Sequence, residues 1–240
     1  IPLKLVYVIY RADLLGIDPG TDQLAVARTA LSDARRAVEA TGRAVKIETE
    51  LLKGNPLATL IGLSRSAAML CVGSLGIEHA CHRAGSTAAA LAGSAHCPVA
   101  VIRRPDVSRR TGTGRIVAEV DASPDNNAVL QWAMAEARLR GLPLQVITAL
   151  RSQRGDQSGD LAAGDRLAQA QLNRRIDRWT RQYPDVAVES VAVHGSVARY
   201  LADSAESVQL FVSGTRDLRS LGRPGDSGGC SVLTVGGTHL

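Results

Sequence analysis

The segment IPLKLVYV, at residues 1–8, returns later in the chain as LPLQVITA, at residues 142–149. Both are apolar runs rich in β-branched side chains, a pattern typical of buried parallel strands. Because self-similarity at a long period marks a repeated structural unit, the two segments predict that the chain holds two copies of one domain.

The segments that follow agree in order between the two copies. Each copy continues with a polar loop, an amphipathic helix, a strand, a glycine that opens a short helix, a buried strand and a closing strand that begins with cysteine. The predicted bounds are 22–41, 45–52, 56–66, 68–72 and 97–102 in the first copy, and 161–182, 186–193, 197–204, 209–212 and 230–235 in the second. Strands that alternate with helices predict an α/β fold, here two tandem doubly wound parallel-sheet domains.

The second copy has an additional strand and helix at its front, at residues 116–121 and 126–140. Since the chain begins at Ile1, on the strand that follows in the repeat, we expect the first copy to lack its opening strand and helix. We expect the opening strand to lie in the middle of its sheet, so that its absence leaves unpaired backbone groups and a less stable first copy. With a linker of Arg, Pro, Ser, Thr and Gly between the copies, the domains are predicted at 1–104 and 114–240.

The closing strands at 97–102 and 230–235 are each the last strand of their copy. We therefore expect them at sheet edges. An exposed edge invites pairing with another strand, so an edge-to-edge contact is predicted, either within the chain or between protomers.

The amino-acid composition indicates which kinds of molecule the protein is expected to bind. The net charge is +5, but aromatic residues are only 3% of the chain, so few side chains could stack on bases and a nucleic-acid partner is disfavoured. The four cysteines form no CxxC pair, which fits a reducing cytoplasm. No apolar run approaches the length of a membrane span, and no membrane partner is expected.

A glycine-rich segment follows the buried strand of the first copy, with VGSLG at residues 72–76 and GST at 85–87, where a helix is predicted over 87–94. Glycines let the backbone approach an anion closely, and the free N–H groups at a helix start attract phosphate. The segment predicts a phosphate site in one pocket at the carboxyl end of the sheet; the alternative is a flexible loop without a ligand. The candidate ligand-binding residues are Gly73, Ser74, Gly76, Gly85, Ser86 and Thr87.

These residues also carry a family resemblance. Gly73, Gly76, Gly85 and Ser86 match the nucleotide signature of universal stress proteins, with eight residues in the long gap instead of nine. CPVAV at 97–101 and VAEVDAS at 117–123 resemble the closing and opening strands of that family. The chain therefore resembles a tandem universal stress protein of the actinobacterial type, with the adenine nucleotide α-hydrolase-like fold.

The resemblance implies ATP binding, a role in stress or dormancy, homodimers, and no chemical reaction as the main function, so that the protein is not expected to be an enzyme. Family members have an Asp beside the adenine, and only the second copy supplies it, as Asp121. By our alignment, however, Ser213 stands where the first copy has Gly73, and the segment from Ser213 to Cys230 is shorter. ATP is therefore expected in the first domain only. The alternative is a degenerate module that acts through protein contacts or dimerisation.

Other side chains carry groups that bind metals or act in catalysis. His79, Cys81 and His82 cluster within the glycine-rich segment, but a structural zinc site needs four ligands and no second pair follows, so no metal is expected. Phosphate contact by His82 and a surface location remain open alternatives. Asp121, taken alone, is not a catalytic mechanism without a base, nucleophile or metal partner, and no catalytic residue is predicted.

Overall fold

The computed structural model describes residues 2–10, 21–73, 86–103, 114–120, 126–150, 158–204, 206–214 and 230–236. The chain divides into two compact units, residues 1–63 and 64–240, a boundary that differs from that of the sequence repeat. The elements in chain order are β1 (Leu3–Ile9), α1 (Thr21–Glu39), β2 (Ile47–Lys53), α2 (Pro56–Ser64), β3 (Leu70–Gly73), α3 (Ser86–Ser94), β4 (Val99–Ile102), β5 (Arg115–Glu119), α4 (Asn126–Arg140), β6 (Leu144–Leu150), α5 (Ser158–Gln182), β7 (Val188–His194), α6 (Val197–Asp203), β8 (Val208–Gly214) and β9 (Ser231–Val235).

The first unit is built on two parallel strands. β1 and β2 form a sheet of their own, with Leu3 opposite Ile47. α1 ends before Gly42, whose φ of +69° is the left-handed conformation that stops helices and favours glycine. Within the described part of this unit, only Ile9 and Ala27 are buried apolar residues. The unit therefore has little core of its own.

The second unit contains a seven-stranded sheet in the order β3-β4-β9-β8-β5-β6-β7. The pairs are parallel except for β4 with β9. The five strands of the second copy have β5 at their centre, between β6 and β8, which confirms the predicted place of the opening strand. In the first copy, the counterparts of its neighbours, β1 and β3, belong to two separate sheets.

The two closing strands pair with each other inside the chain. β4 and β9 run antiparallel, with Val99 opposite Thr234. The Thr234 hydroxyl donates to the carbonyl of Val99 at 3.2 Å, and the Arg103 N–H donates to Ser231 Oγ at 3.2 Å. The predicted edge-to-edge contact is confirmed, in its intramolecular form. Both closing strands are thereby interior, and the outer strands of this sheet are β3 and β7.

The second copy has a closed core on both faces of the sheet. On one face, α4 and α5 cover Ile116, Ala118 and their neighbours; on the other, α6 packs over Val117, Ile147 and the fully buried Phe211. Alternate residues of β5 thus enter opposite cores, as the pleat of a strand requires. None of the described helices is long and apolar enough to cross a lipid bilayer.

Candidate functional site

The structure places part of the glycine-rich segment. Gly73 is the last residue of β3, where it is exposed and lies opposite Ile102 of β4. Ser86 is the first residue of α3, and Thr87 follows it, exposed on the first turn. Ser74, Gly76 and Gly85 lie outside the described residues, so the single pocket expected for these residues stays a prediction. The strand and the helix that flank the segment are where the sequence predicts them.

α3 is held in place by a small apolar face. Ala88, Leu91 and Ala92 are buried, and the helix packs against β4. Since α3 leads into the amino end of β4, its own first turn lies toward the carboxyl end of β3 and β4. The first backbone N–H groups of a helix have no partner within the helix, and the helix dipole makes that end positive. This arrangement is chemically suited to an anion beside Ser86 and Thr87.

Because β4 and β9 are antiparallel, strands β3 and β4 of the first copy run opposite to the strands of the second copy in the seven-stranded sheet. The carboxyl ends of β3 and β4 lie at the edge of the sheet where β9, β8 and β5 begin. The carboxyl ends of β5 and β8, where the second copy would hold a ligand, lie at the opposite edge. The strand ends that lead to the two candidate sites are therefore at opposite edges of the sheet.

The strand registers correct one alignment made from sequence. Taking Cys97 and Cys230 as equivalent makes Ile102 equivalent to Val235, and these residues lie opposite Gly73 and Gly214. The counterpart of Gly73 is thus Gly214, not Ser213, which is fully buried within β8. The second copy keeps the first glycine of the signature. The alignment from sequence paired Val72 with Val212, which placed the two apolar runs one residue out of step.

Most of the second copy's candidate groups cannot be placed. Asp121 and residues 215–229 lie outside the described residues. The strands that lead to them are neighbours in the sheet, with Ala118 of β5 opposite Val212 of β8. The segment from Gly214 to Cys230 remains shorter than that from Gly73 to Cys97.

The described thiols are not activated nucleophiles. Burial raises the pKa of Cys230 to about 11. Desolvation, more than the carboxylate of Glu136, raises the pKa of Cys71, and desolvation also raises the pKa of Cys97. All three thiols are therefore protonated near neutral pH. Among the described residues, no three His, Cys, Asp or Glu side chains are grouped to hold a metal ion; His79, Cys81 and His82 lie outside them.

Comparison with known proteins identifies relatives over the full chain. The sequence model described as the universal stress protein family matches residues 1–103 and 112–224. The universal stress protein Rv3134c of Mycobacterium tuberculosis is 48% identical over 240 residues, which are 100% of this chain and 87% of that protein. Rv2028c, from the same organism, is 40% identical over 251 residues, 100% of this chain and 88% of that protein.

Among solved structures, a universal stress protein from Archaeoglobus fulgidus superposes with a TM-score of 0.65 at 20% identity. The match covers 97% of this chain and 85% of that chain. At this level of identity the likeness concerns the fold, and it agrees with an α/β architecture built on a mostly parallel sheet.

Proposed function

The chain belongs to the universal stress protein family, and from that premise we propose that it is a cytoplasmic, non-enzymatic regulatory protein that binds ATP in its first copy during stress or dormancy. The proposed domains are residues 1–104 and 114–240. The observation that carries the proposal is the exposed strand end at Gly73, joined by a glycine-rich segment to a helix that begins at Ser86.

This arrangement suits the phosphates of a nucleotide. A glycine at the end of β3 leaves room for the backbone to approach an anion, and the first turn of α3 offers N–H groups and the Thr87 hydroxyl. In the proposed mode Gly73, Ser74, Gly76, Gly85, Ser86 and Thr87 surround the phosphate chain. The protein binds and orients the nucleotide, and its output is a change in partner contacts.

We assign no ATP to the second copy. It retains Gly214, but its segment before Cys230 is shorter and provides no obvious counterpart of the Gly85-Ser86-Thr87 sequence. A second copy without nucleotide would act as a structural partner for the first, through the β4–β9 contact.

The experiment is calorimetric titration of ATP into the protein and into Ser86→Asp. A carboxylate at the first residue of α3 favours the helix through its dipole but repels phosphate, so the fold is retained while ATP affinity falls at least about tenfold. Asn55→Asp is the matched control. It adds the same charge before α2 and keeps the side-chain oxygen that accepts from the Ala58 N–H at 3.1 Å. This control should bind ATP like the unchanged protein.

Unaltered ATP binding in Ser86→Asp would show that the nucleotide lies elsewhere. Absence of ATP binding by the unchanged protein, together with a homodimer in light scattering, would favour the degenerate module instead. That dimer would have to form without β4 and β9, since both are already paired within the chain.

A further inference from the structure

A cavity in the second copy lies apart from the glycine-rich segment of the first. It occupies the space between the start of α4 and the last third of α5, and its volume is about 230 Å³. The residues that line it are Asn126, Asn127 and Leu130 of α4 and Arg174, Arg175, Arg178 and Trp179 of α5.

Helical spacing explains why the α5 residues converge. Arg174 and Arg178 are four residues apart, as are Arg175 and Trp179, so both pairs lie on one side of the helix. Leu130 and Trp179 are buried in the core of the second copy, while the three arginines are exposed. The cavity thus has an apolar floor and a cationic rim.

The rim carries an excess of positive charge. Its lining includes three guanidinium groups and no carboxylate. Neither Arg174 nor Arg178 forms an ion pair with a residue that the structure describes, in contrast to Arg138 with Asp185 at 3.0 Å and Arg140 with Glu136 at 2.9 Å.

The described carboxylate nearest along α5 is that of Asp177, which is exposed and does not line the cavity. Asp121 and Asp125, which precede α4, lie outside the described residues. α4 begins at Asn126, so the positive end of its dipole adds to the potential at the rim.

We infer that this cavity binds a small phosphate anion of one or two phosphate groups. Guanidinium groups match phosphate oxygens with paired N–H donors, which makes clustered arginines a typical phosphate site. The volume is smaller than the roughly 300–1,000 Å³ of pockets that enclose whole organic ligands. The site therefore takes an inorganic phosphate or pyrophosphate, without a nucleoside. It is separate from the ATP site proposed for the first copy.

The test uses Trp179 as a local reporter. The chain has two tryptophans, so Trp132→Phe leaves Trp179 as the single indole. Pyrophosphate is titrated into this variant at low ionic strength, where screening of exposed charges is weak. A saturable change in Trp179 fluorescence is expected, and adding Arg174→Gln with Arg178→Gln should weaken the apparent affinity at least tenfold. Circular dichroism checks that each variant is folded.

Arg181→Gln is the matched control, because it removes the same charge from an exposed position of the same helix that does not line the cavity. It should leave the affinity within about twofold. Ser86→Asp should also leave it unchanged, which separates this site from the proposed ATP site. A lack of any saturable response to pyrophosphate overturns the inference. The inference is also overturned if Arg181→Gln lowers the affinity for pyrophosphate as much as the double variant does, or if acetate binds as tightly as pyrophosphate. Either result would indicate diffuse attraction by surface charge.

Discussion

The front half of the first copy and its counterpart in the second have the same elements but different burial. β1, α1, β2 and α2 correspond in order to β6, α5, β7 and α6, and the strand registers agree: Leu3 lies opposite Ile47, as Leu144 lies opposite Val188. Yet Leu144 is fully buried, whereas Leu3 is 37% exposed. The same local pattern has formed the same local structure in two different environments.

Neighbouring elements account for the difference. β6 pairs on one side with β5 and on the other with β7, and α4 packs beside α5 on the same core. β1 pairs only with β2 in its two-stranded sheet. Two strands alone are marginal in water because they bury little apolar surface. In the second copy, β5 and α4 supply much of the core around β6.

The polar residues at equivalent positions also differ between the buried strand of the second copy and the exposed strand of the first. In the second copy, the buried amide of Gln145 donates to Glu189 at 3.0 Å and accepts from the hydroxyl of Tyr200. The equivalent strand of the first copy has Lys4, which forms an ion pair with Glu50 on an exposed surface. A buried strand needs its polar groups satisfied inside the protein, whereas an exposed strand can use charge.

The largest contrast is expected from truncating the equivalent leucines. Leu144→Ala should lower the free energy of unfolding by about 2–5 kcal/mol, because it removes buried apolar atoms and leaves a cavity. Leu3→Ala should lower it by less than about 1 kcal/mol, as for partly exposed positions. Urea unfolding followed by far-ultraviolet circular dichroism, which reports on the helices of both units, measures both variants. Equal losses would show that β1 is buried in solution and that the contrast does not hold.

A smaller contrast is expected from the helix caps. Ser196 caps α6 by accepting from the Arg199 N–H at 3.2 Å, and Asn55 accepts from the Ala58 N–H before α2. Ser196→Ala should lower the unfolding free energy of the second unit by about 1 kcal/mol. Asn55→Ala should speed amide hydrogen exchange in α2 and leave the tryptophan-monitored transition unchanged. A shift of that transition by Asn55→Ala would mean that the two units unfold together.

The smallest effect concerns an exposed ion pair of the first copy. The ammonium of Lys46, 2.7 Å from Glu48, holds the pKa of that carboxyl below its ordinary value, and Lys4 contributes less. Lys46→Met should therefore raise the pKa of Glu48 more than Lys4→Met does, as measured by NMR titration of the side-chain carboxyl.

The sign of the pH effect follows from that lowered pKa. The pair stabilises the first copy at pH values above the ordinary carboxyl pKa, and the stabilisation is lost as the pH falls through the lowered value. Because both groups are exposed, the loss should be small and should shrink in salt. No change in the Glu48 titration on Lys46→Met would show that the pair is absent in solution.

Much of the fold could be predicted from local signals. The helix at 126–140 was predicted with its observed bounds as α4, and Gly42 and Gly141, both at positive φ, follow the ends of α1 and α4. These features depend on periodicity and on glycine's conformational freedom, which a sequence displays directly. The order of strands and helices followed from the repeat.

Other features could not be predicted without knowing which strands pair and in which register. Aligning the apolar runs before the glycines placed Ser213 opposite Gly73 in the repeat, and only the strand registers showed that Gly214 holds that position. A run of apolar residues fixes the presence of a strand but not its register, since a shift of one residue still looks apolar when both faces are buried. The cationic cavity was missed for a similar reason, because Asn126 and Arg178 are distant in sequence.

The sequence by itself determined the two copies, their alternating strands and helices, the glycine-rich segment and the family resemblance. Each of these features depends on the composition and spacing of residues that are close together in the chain. Only the tertiary structure decided that β4 pairs with β9 inside the chain, that the carboxyl ends of β4 and β8 lie at opposite edges of one sheet, and that Leu144 is buried while Leu3 is not. These outcomes depend on which distant segments meet, and contacts of that kind are set by the packing of whole elements rather than by any single stretch of residues.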